Sequence, residues 1–417
     1  MEKLGVGIIG CGLIGEKRAG VLAQFPECHL KMVYDIDSEK GKRLPEKFGG
    51  SVAQSCEEVL WSKDVDVVIV STINKPLVPI SVNALRSGKH VLCEKPPGRN
   101  LEETKQLCEM VSRSKGRLKV GFNHRHHPAI SKAKELIDGG KIGPLYYLRC
   151  FYGHGGRPGY DQEWRADREL SGGGELLDQG IHVIDLFRWF LGDFEEAFGY
   201  TNTYFWDMDV EDNAFAFFKT GKGQVALMQT SWTQWKNSFT FEIFGESGYL
   251  MVDGLGGSYG TETLRIGRRK KVNSYKLLVD KDAKDVNSYK LLVDKGGKDV
   301  NSYKLLVDKE QRSVYDYKLS VDTKNEKQSS SNGLITHQLI TNNFTSRYAG
   351  GVPDEEVIEF PGPDISWEME WREFVSAIKE NREPMGNGQD GLEAMRMIEA
   401  VYRSARENRP IKIQDIK

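Results

Sequence analysis

The stretch that decides the fold is Leu4–Gly15, LGVGIIGCGLIG, near the start of the 417-residue sequence. An apolar run leads into the pattern G-x-G-x-x-G, and a predicted helix follows. In such a strand–turn–helix unit the first glycine permits the tight turn and the second lets a pyrophosphate approach the backbone. The third lets the helix pack closely on the strand. The helix N-terminus then presents free N–H groups to the phosphates. The predicted cofactor contacts in this loop are Gly10, Gly12, Leu13, Ile14 and Gly15.

An acidic residue follows the glycine pattern at the distance that dinucleotide sites use. The segment His29–Tyr34 is predicted as a second strand and leads to Asp35, about 20 residues beyond Gly15. A carboxylate there would bind the ribose hydroxyls of NAD and would repel the 2′-phosphate of NADP, so NAD is favoured as the cofactor. The alternative is a glycine-rich turn with an unrelated aspartate at the end of a strand.

Composition limits the class of protein. Lys and Arg number 58 against 60 Asp and Glu, for a net charge of −2. The chain therefore lacks the excess of basic residues that is typical of nucleic-acid-binding proteins. No apolar stretch has the length of a membrane span, and the first residues lack the apolar region of a signal peptide. The six cysteines show no C-x-x-C spacing, which indicates reduced thiols. We therefore expect a cytoplasmic protein with no nucleic-acid or membrane partner.

Strands and helices alternate through residues 1–122, which predicts an α/β domain. The continuous apolar run Val67–Val70 suits a central parallel strand, and polar residues Thr72 and Asn74 follow it. Because ligands bind at the carboxyl ends of such strands, both residues are candidate cofactor contacts. The alternative for each is an ordinary polar loop. The next helix is predicted from about Pro79 to Ser87.

A later predicted strand ends in Glu94-Lys95-Pro96. A lysine at the carboxyl end of a sheet strand faces the cofactor crevice, where its ammonium could bond a substrate hydroxyl and stabilise developing negative charge. On composition alone, a surface lysine before a turn is the better interpretation. The glycine loop and the Glu94-Lys95-Pro96 motif together favour the functional interpretation of Lys95 instead.

The glycine loop and Glu94-Lys95-Pro96 together resemble the Gfo/Idh/MocA oxidoreductase family. The resemblance implies an N-terminal Rossmann dinucleotide-binding domain and a C-terminal α+β domain with a large, mostly antiparallel open sheet. It also implies that Glu94 and Lys95 contact the cofactor. The family usually has Thr-Pro-Asn and a nearby His after the fourth strand, whereas this chain has Thr72-Ile73-Asn74 without that proline or histidine.

The segment Gly172–Asp185, GGGELLDQGIHVID, contains the strongest catalytic candidates. Asp178 and His182 are four residues apart, so on a helix they would share one face. A carboxylate beside an imidazole can orient it and tune its pKa, and Asp185 is a second candidate for that role. Without context, a structural hydrogen bond is the ordinary explanation. The segment resembles the family's second signature, which implies Lys95, Asp178 and His182 as the catalytic set.

Two further segments supply candidate substrate contacts. The stretch from Asn123 to Pro128 resembles a family pattern at the rim of the substrate cleft, with His126 in place of the usual aromatic residue. Its three histidines lack further ligands at metal-site spacing, so no metal is predicted. The loop 153–174 is rich in aromatic and basic residues, which often line binding sites, although a surface excursion is the alternative. The predicted substrate contacts are Asn123, Arg125, His154, Trp164 and Arg165.

Residues 273–328 divide into four 14-residue repeats, of which the first three begin NSYKLLVDK. Each repeat has a β-prone core and a charged link, as in an added β-meander. A tandem duplication without a catalytic role is favoured over an assembly or partner surface. The predicted division is 1–122 for the NAD-binding domain, 123–267 with 351–417 for the substrate-binding and oligomerisation domain, and 268–350 for the insertion.

The resemblance implies hydride transfer between the nicotinamide and a hydroxyl-bearing carbon of a sugar, sugar derivative or cyclitol. His182 would accept the hydroxyl proton, while Lys95 and Asp178 would hold the hydroxyl. Two alternatives are an NAD-retaining glycosidase on the same fold and a non-catalytic NAD-binding sensor or assembly protein. The arginines at 125, 157 and 165 raise the hypothesis of an acidic or nucleotide-linked sugar. The family commonly covers its open sheet by self-association, which implies a homodimer or homotetramer.

Overall fold

The computed structural model describes residues 3–269, 276–278, 288–293, 301–306 and 353–417. The chain forms two compact units. The first unit combines Met1–Arg268 with Glu355–Lys417, and the second is Arg269–Asp354. The fourth predicted repeat, 315–328, lies outside the described residues.

The first sheet is built from six parallel strands with intervening helices. In chain order its elements are β1 (Leu4–Ile9), α1 (Leu13–Leu22), β2 (Cys28–Tyr34), α2 (Ser38–Phe48), β3 (Ser51–Val52), α3 (Cys56–Trp61), β4 (Val67–Val70), α4 (Asn74–Arg86), β5 (His90–Cys93), α5 (Leu101–Arg113) and β6 (Leu118–Val120). The strand order is β3-β2-β1-β4-β5-β6, and every pair is parallel. The order reverses between β1 and β4, where dinucleotides bind in this fold, so the predicted Rossmann domain is confirmed.

Helix α4 begins at Asn74, five residues earlier than the predicted start at Pro79. Pro76 lies in the first helical turn, where backbone N–H groups have no intrahelical partner, so a proline costs little there. Pro79 lies inside the helix and removes one backbone hydrogen bond. The prediction was wrong because it took the second proline as the start of the helix. As a result Asn74 is a helix residue rather than a loop residue.

The next elements run from residue 128 to 268. They are α6 (Pro128–Asp138), β7 (Leu145–Gly153), α7 (Arg168–Ser171), α8 (Ile181–Leu191), β8 (Glu196–Asn202), β9 (Asn213–Lys219), β10 (Val225–Ser231), β11 (Ser238–Gly245), β12 (Gly248–Asp253) and β13 (Glu262–Arg268). A π-helical turn, Leu176–Gly180, leads into α8.

The second compact unit contains three short strands, β14 (Lys276–Leu278), β15 (Ser288–Val293) and β16 (Asn301–Leu306). They pair antiparallel in the order β14-β15-β16, with one strand in each of the first three repeats. The chain then continues with β17 (Asp354–Phe360), α9 (Ser366–Lys379), α10 (Gly388–Glu407) and β18 (Ile411–Lys412).

The large sheet has nine strands in the order β17-β13-β12-β11-β7-β10-β9-β8-β18. Strands β7 and β10 are parallel, while six of the other neighbouring pairs are antiparallel. A core of buried apolar residues from this sheet, α8 and α10 holds the domain together. The predicted α+β domain with a mostly antiparallel sheet is confirmed. In the described part of the chain no helix is both long and apolar enough to cross a bilayer.

Helix α9 packs on the first domain, although it follows the second domain in the chain. Its Trp371, Phe374 and Val375 join the buried cluster that contains Val6 and Ile8 of β1. A buried ion-pair network strengthens this contact. The guanidinium of Arg18 in α1 bonds Glu94 (Nε–Oε1 2.8 Å) and Glu370 of α9 (Nη1–Oε2 2.7 Å). The C-terminal segment thereby completes the core under the glycine loop.

Candidate active site

The three glycines of the loop differ in the space around them. Gly10 has φ +97°, and a Cβ there would lie 2.6 Å from the carbonyl of Ser71. A Cβ at Gly15 would lie 2.0 Å from the carbonyl oxygen of Gly10. A Cβ at Gly12 would have no atom of the described chain within 4 Å. The fold therefore needs the first and third glycines, whereas the second leaves an open surface at the N-terminus of α1. This geometry fits a pyrophosphate.

The carboxylate of Asp35 lies against the glycine loop. Its Oδ2 accepts from the backbone N–H of Cys11 (2.6 Å), and its Oδ1 accepts from the N–H of Asp37 (2.8 Å). These bonds fix the carboxylate at the end of β2, beside the loop. At the start of α1, Leu13 is exposed and Ile14 is half-buried. The predicted contacts around the glycine loop are thus brought together.

Three other predicted cofactor contacts have partners within the protein. The Thr72 hydroxyl is half-buried and donates to the carbonyl of Ile73. The buried Asn74 amide donates to the carbonyl of Ser171 (Nδ2–O 2.8 Å), which ties α4 to the segment before the glycine triplet. Glu94 is buried and accepts from Arg18. The side chains of Asn74 and Glu94 therefore have positioning contacts that the sequence interpretation did not include.

Lys95 and Asp178 meet although they are 83 positions apart. The lysine Nζ donates to both the Oδ1 (2.5 Å) and the backbone carbonyl (2.7 Å) of Asp178. Arg165 approaches the other carboxylate oxygen (Nε–Oδ2 3.4 Å). Burial raises the pKa of Asp178, but the two cations outweigh it and hold that pKa below its usual range. Asp178 is thus ionised, and two of the three ammonium protons of Lys95 are used.

His182 lies at the start of α8, stacked on the ring of His124. The two ring centroids are 3.8 Å apart, with an angle of 21° between the planes. Within the described residues, its buried Nδ1 has no hydrogen-bond partner. Burial lowers the pKa of His182 well below the usual value, and the charge of Lys95 lowers it further. The imidazole is therefore neutral at pH 7 and close enough to Lys95 to feel its charge.

The predicted orientation of His182 by a carboxylate four or three residues away is wrong. Asp178 lies within the π-helical turn Leu176–Gly180, and His182 follows that turn at the start of α8. Asp178 bonds Lys95 instead. Asp185 forms a bidentate pair with Arg125 (Nε–Oδ2 2.7 Å, Nη2–Oδ1 2.5 Å).

Arg125 is correspondingly a buried clamp rather than a group facing the substrate. Its remaining terminal nitrogen bonds Asp390 of α10 (Nη1–Oδ2 3.1 Å), so each guanidinium nitrogen has a carboxylate partner. The prediction treated the arginine as free because its partners lie 60 and 265 positions away. Asn123 is also buried, and its amide donates to the hydroxyl of Ser366 (2.9 Å).

The loop residues His154 and Arg165 lie beside the Lys95–Asp178 pair, and Trp164 packs on Arg165. Burial lowers the pKa of His154, whose charge interacts with that of Asp178. Its Nδ1 accepts from the N–H of Gly156 (2.9 Å). The Arg165 guanidinium lies 4.5 Å from the centre of the Trp164 ring. Arg157, in contrast, is exposed and pairs with Glu163. Only one of the two loop arginines thus reaches the candidate site.

Sequence reasoning missed several residues beside the site. Glu175 is fully buried, and its carboxylate has no hydrogen-bond partner among the described residues. Burial raises its pKa well above the usual value, and the charge of Asp178 raises it further. His127 bonds Glu262 (Nδ1–Oε2 3.0 Å). The charged Glu175 next to two leucines was the sequence signal for this buried carboxylate. No local pattern in the sequence indicates the His127–Glu262 pair. Among the described residues, no group of three His, Cys, Asp or Glu is arranged to hold a metal ion.

The buried histidines predict acid destabilisation. Burial lowers the pKa of His124 and His182 well below 6.5, and that of His126 to about 2. Below pH 6.5 the unfolded chain therefore binds protons that the folded protein does not. The free energy of unfolding consequently decreases as the pH is lowered. Each histidine contributes a slope of up to about 1.4 kcal/mol per pH unit.

Urea unfolding between pH 7 and pH 5 checks this expectation. His126→Gln should reduce the slope of the unfolding free energy against pH by the contribution of one histidine. His29→Gln is the matched control, because His29 is exposed. A free energy of unfolding that stays constant from pH 6.5 to pH 5 would contradict the prediction.

Three family models match the chain. They are the oxidoreductase family with NAD-binding Rossmann fold at residues 4–122, the GFO/IDH/MocA C-terminal domain at 130–251, and the oxidoreductase family C-terminal alpha/beta domain at 318–413. Together they span both domains of the first compact unit.

Individual relatives agree with these matches. Levoglucosan dehydrogenase of Pseudarthrobacter phenanthrenivorans is 26% identical over 289 residues, which are 61% of this chain and 74% of the relative. The 1,5-anhydro-D-fructose reductase of Ensifer adhaerens is 31% identical over 250 residues, 59% and 74% of the two chains. A solved levoglucosan dehydrogenase with NADH and levoglucosan shares the fold, with a TM-score of 0.70 at 20% identity over 99% of this chain and 100% of the other. The chain therefore belongs to the Gfo/Idh/MocA family of NAD(P)-dependent oxidoreductases.

Proposed function

We propose that this protein oxidises or reduces a hydroxyl-bearing carbon of a sugar, sugar derivative or cyclitol with NAD as the cofactor. The observation that carries the proposal is the meeting of Lys95, Asp178 and His182. The ammonium at the carboxyl end of β5 is paired with Asp178 and lies close enough to lower the pKa of His182. Such a set can hold a hydroxyl and accept its proton.

Each group has a distinct part in this proposal. NAD, when bound, supplies the carbon that accepts the hydride. His182 is neutral at pH 7, so it can accept the hydroxyl proton in oxidation and return it in reduction. Lys95 has one ammonium proton beyond the two that bond Asp178, and it would donate this proton to the substrate oxygen. Asp178 fixes the ammonium in place for that contact.

The substrate class rests on the relatives. Levoglucosan dehydrogenase and 1,5-anhydro-D-fructose reductase are both named for sugar derivatives. The hypothesis of an acidic or nucleotide-linked sugar is weaker, since Arg125 is fully paired and Arg157 is exposed. An uncharged sugar or cyclitol is therefore the preferred substrate class, with Arg165 as the one of these three arginines that lies at the site.

NAD is preferred over NADP because of Asp35. Its carboxylate is held at the edge of the glycine loop by the backbone of Cys11 and Asp37. A negative charge there favours two ribose hydroxyls and repels a 2′-phosphate. Initial rates with each cofactor test this choice, and a higher kcat/KM with NADP would overturn it.

The first experiment measures the formation of NADH by its absorbance when purified protein and NAD are mixed with each member of a panel of free sugars, glycosides and inositols. Turnover that requires His182 supports the proposal. An enzyme that retains NAD through purification and cleaves glycosides without net NADH would favour the glycosidase alternative. Bound NAD with neither activity would favour the sensor.

The open position of Gly12 gives a direct test of cofactor binding. Gly12→Ala should leave the melting temperature unchanged, since no atom lies within 4 Å of the added Cβ. It should weaken NAD binding at least about tenfold, because the methyl group occupies the surface that the pyrophosphate approaches. Isothermal titration with NAD measures this loss.

Gly20→Ala is the matched control, because Gly20 lies in α1, the helix that Gly12 precedes as N-cap, and its added Cβ makes only an ordinary contact of 3.7 Å with Phe48. Equal NAD affinity in the Gly12→Ala variant and the wild type would place the pyrophosphate elsewhere.

We further propose a homodimer or homotetramer formed through the large sheet. Tyr147, Phe151 and Phe217 lie on the same face of this sheet, and all three are exposed. A contiguous apolar surface of this kind is typical of protein interfaces. The division into 1–122, 123–267 with 351–417, and 268–350 also stays a proposal. Analytical ultracentrifugation of the full chain and of a chain lacking 268–350 tests both.

A further inference from the structure

A turn beside the candidate site is held in one conformation by a buried carboxylate. Asp212 is fully buried, and its two oxygens accept three successive backbone N–H groups, those of Tyr204 (2.8 Å), Phe205 (2.8 Å) and Trp206 (3.1 Å). The Trp206 indole also donates to the carbonyl of Trp232 (3.0 Å). The turn is therefore rigid although it lies at the surface.

This rigid turn displays aromatic rings to solvent. Tyr204 is 64% exposed and Phe205 is 61% exposed. Across from them, Trp235 is 68% exposed, and its ring centre lies 4.9 Å from that of Phe205 at an angle of 80°. We call Tyr204, Phe205 and Trp235 the aromatic platform. Exposing three large rings costs hydration free energy, which indicates a surface kept for a ligand.

The aromatic platform is continuous with the candidate site through His154. A Cβ on Gly155, the next residue, would lie 3.4 Å from Cε3 of the Trp235 indole. The backbone N–H of Gln234 donates to the carbonyl of His154 (3.2 Å). His154 in turn interacts electrostatically with Asp178. The indole of Trp235 therefore packs against the residue that follows His154.

A second set of contacts fixes the other side of this connection. Tyr160 packs on His154 with ring centres 5.6 Å apart and on Trp206 with centres 5.7 Å apart. Gly156 lies against the Trp206 indole, since a Cβ there would be 2.5 Å from Cζ2. Loop 153–156 and the 204–206 turn are thus packed together, and the platform cannot move independently of His154.

We propose that the aromatic platform is a subsite for the second ring of a glycoside, next to the ring that is oxidised. One face of a hexose ring presents C–H groups, which stack on indole and phenyl faces, and a rigid platform loses little entropy on binding. The substrate would then be a disaccharide or a larger glycoside rather than a free monosaccharide. This inference rests on the proposed function of the same site.

The test compares Trp235→Ala and Phe205→Ala with the wild type in NAD-dependent oxidation of cellobiose, maltose and glucose. Both side chains are exposed, so the variants should fold. The ratio of kcat/KM for disaccharide to that for glucose should fall about tenfold. Trp61→Ala removes an equally exposed indole from α3 and should leave the ratio unchanged.

A binding measurement separates failure of this inference from failure of the proposed function. Tryptophan fluorescence is titrated with cellobiose in the presence of NAD, and Trp235→Ala should raise the dissociation constant about tenfold relative to Trp61→Ala. If the wild type oxidises neither these sugars nor any member of the panel of free sugars, glycosides and inositols, the proposed function fails, and this titration alone decides the subsite. Equal affinity in both variants overturns the subsite. A change of oligomeric state in Trp235→Ala with an unchanged disaccharide ratio also overturns it and assigns the platform to an interface.

Discussion

His182→Gln is expected to lower kcat for sugar oxidation by about 10²- to 10⁴-fold, the range for loss of a general base. The physical reason is that the imidazole is neutral at pH 7 and has a ring nitrogen that can accept the hydroxyl proton. The amide of glutamine can form hydrogen bonds but cannot take up that proton. Stopped-flow NADH absorbance under single-turnover conditions measures the chemical step directly.

Two comparisons make this result specific. His29→Gln changes an exposed histidine on β2 and should have no effect. His124→Phe keeps an aromatic ring against His182, so it should retain most of the activity. A His182→Gln variant within about threefold of the wild-type kcat would remove the proposed base.

Lys95→Met should lower kcat by about 10²- to 10³-fold, as found when a donor to a developing negative charge is removed. Methionine keeps the length and apolar stem of lysine but cannot donate. The loss should appear in kcat rather than in the affinity for NAD, since the ammonium is paired with Asp178 and not with the glycine loop. Steady-state rates at saturating NAD, together with NAD titration, separate the two effects.

The surface variant Lys132→Met is the control, because Lys132 pairs with Glu135 on the exposed face of α6. Asp178→Asn should have a smaller effect than Lys95→Met, since the lysine still bonds the backbone carbonyl of residue 178 (2.7 Å). A Lys95→Met variant that loses only NAD affinity would assign the lysine to the cofactor instead of the substrate.

The first domain was predictable because its signals are local. The glycine spacing, the buried run of β4 and the position of Asp35 each follow from a short stretch of sequence. The parallel pairing of the strands then follows from the alternation of strands and helices. The start of α4 was missed because Pro76 is tolerated in the first turn, so the second proline looked like the boundary.

The candidate site was predictable only in part, since its contacts are long-range. Family resemblance brought Lys95, Asp178 and His182 together, but spacing alone gave the wrong partner for the histidine. Asp178 bonds Lys95 instead, and these two residues are 83 positions apart in the chain. Arg125 was predicted as a substrate contact because its actual partners, Asp185 and Asp390, lie far along the chain and could not be identified from the sequence.

The packing of α9 on the first domain limits how this protein can be recombined. The Rossmann sheet is encoded before residue 122, yet Trp371, Phe374 and Val375 cover part of its core, and Glu370 neutralises the buried Arg18. A chimaera joined at residue 122 would replace α9, so the partner of Arg18 and the side chains that cover the apolar face of β1 would come from the relative. Breaking such a buried ion pair costs about 3–5 kcal/mol, a large share of the stability of a domain. The unit that can be exchanged between relatives is therefore discontinuous: the first 122 residues together with α9.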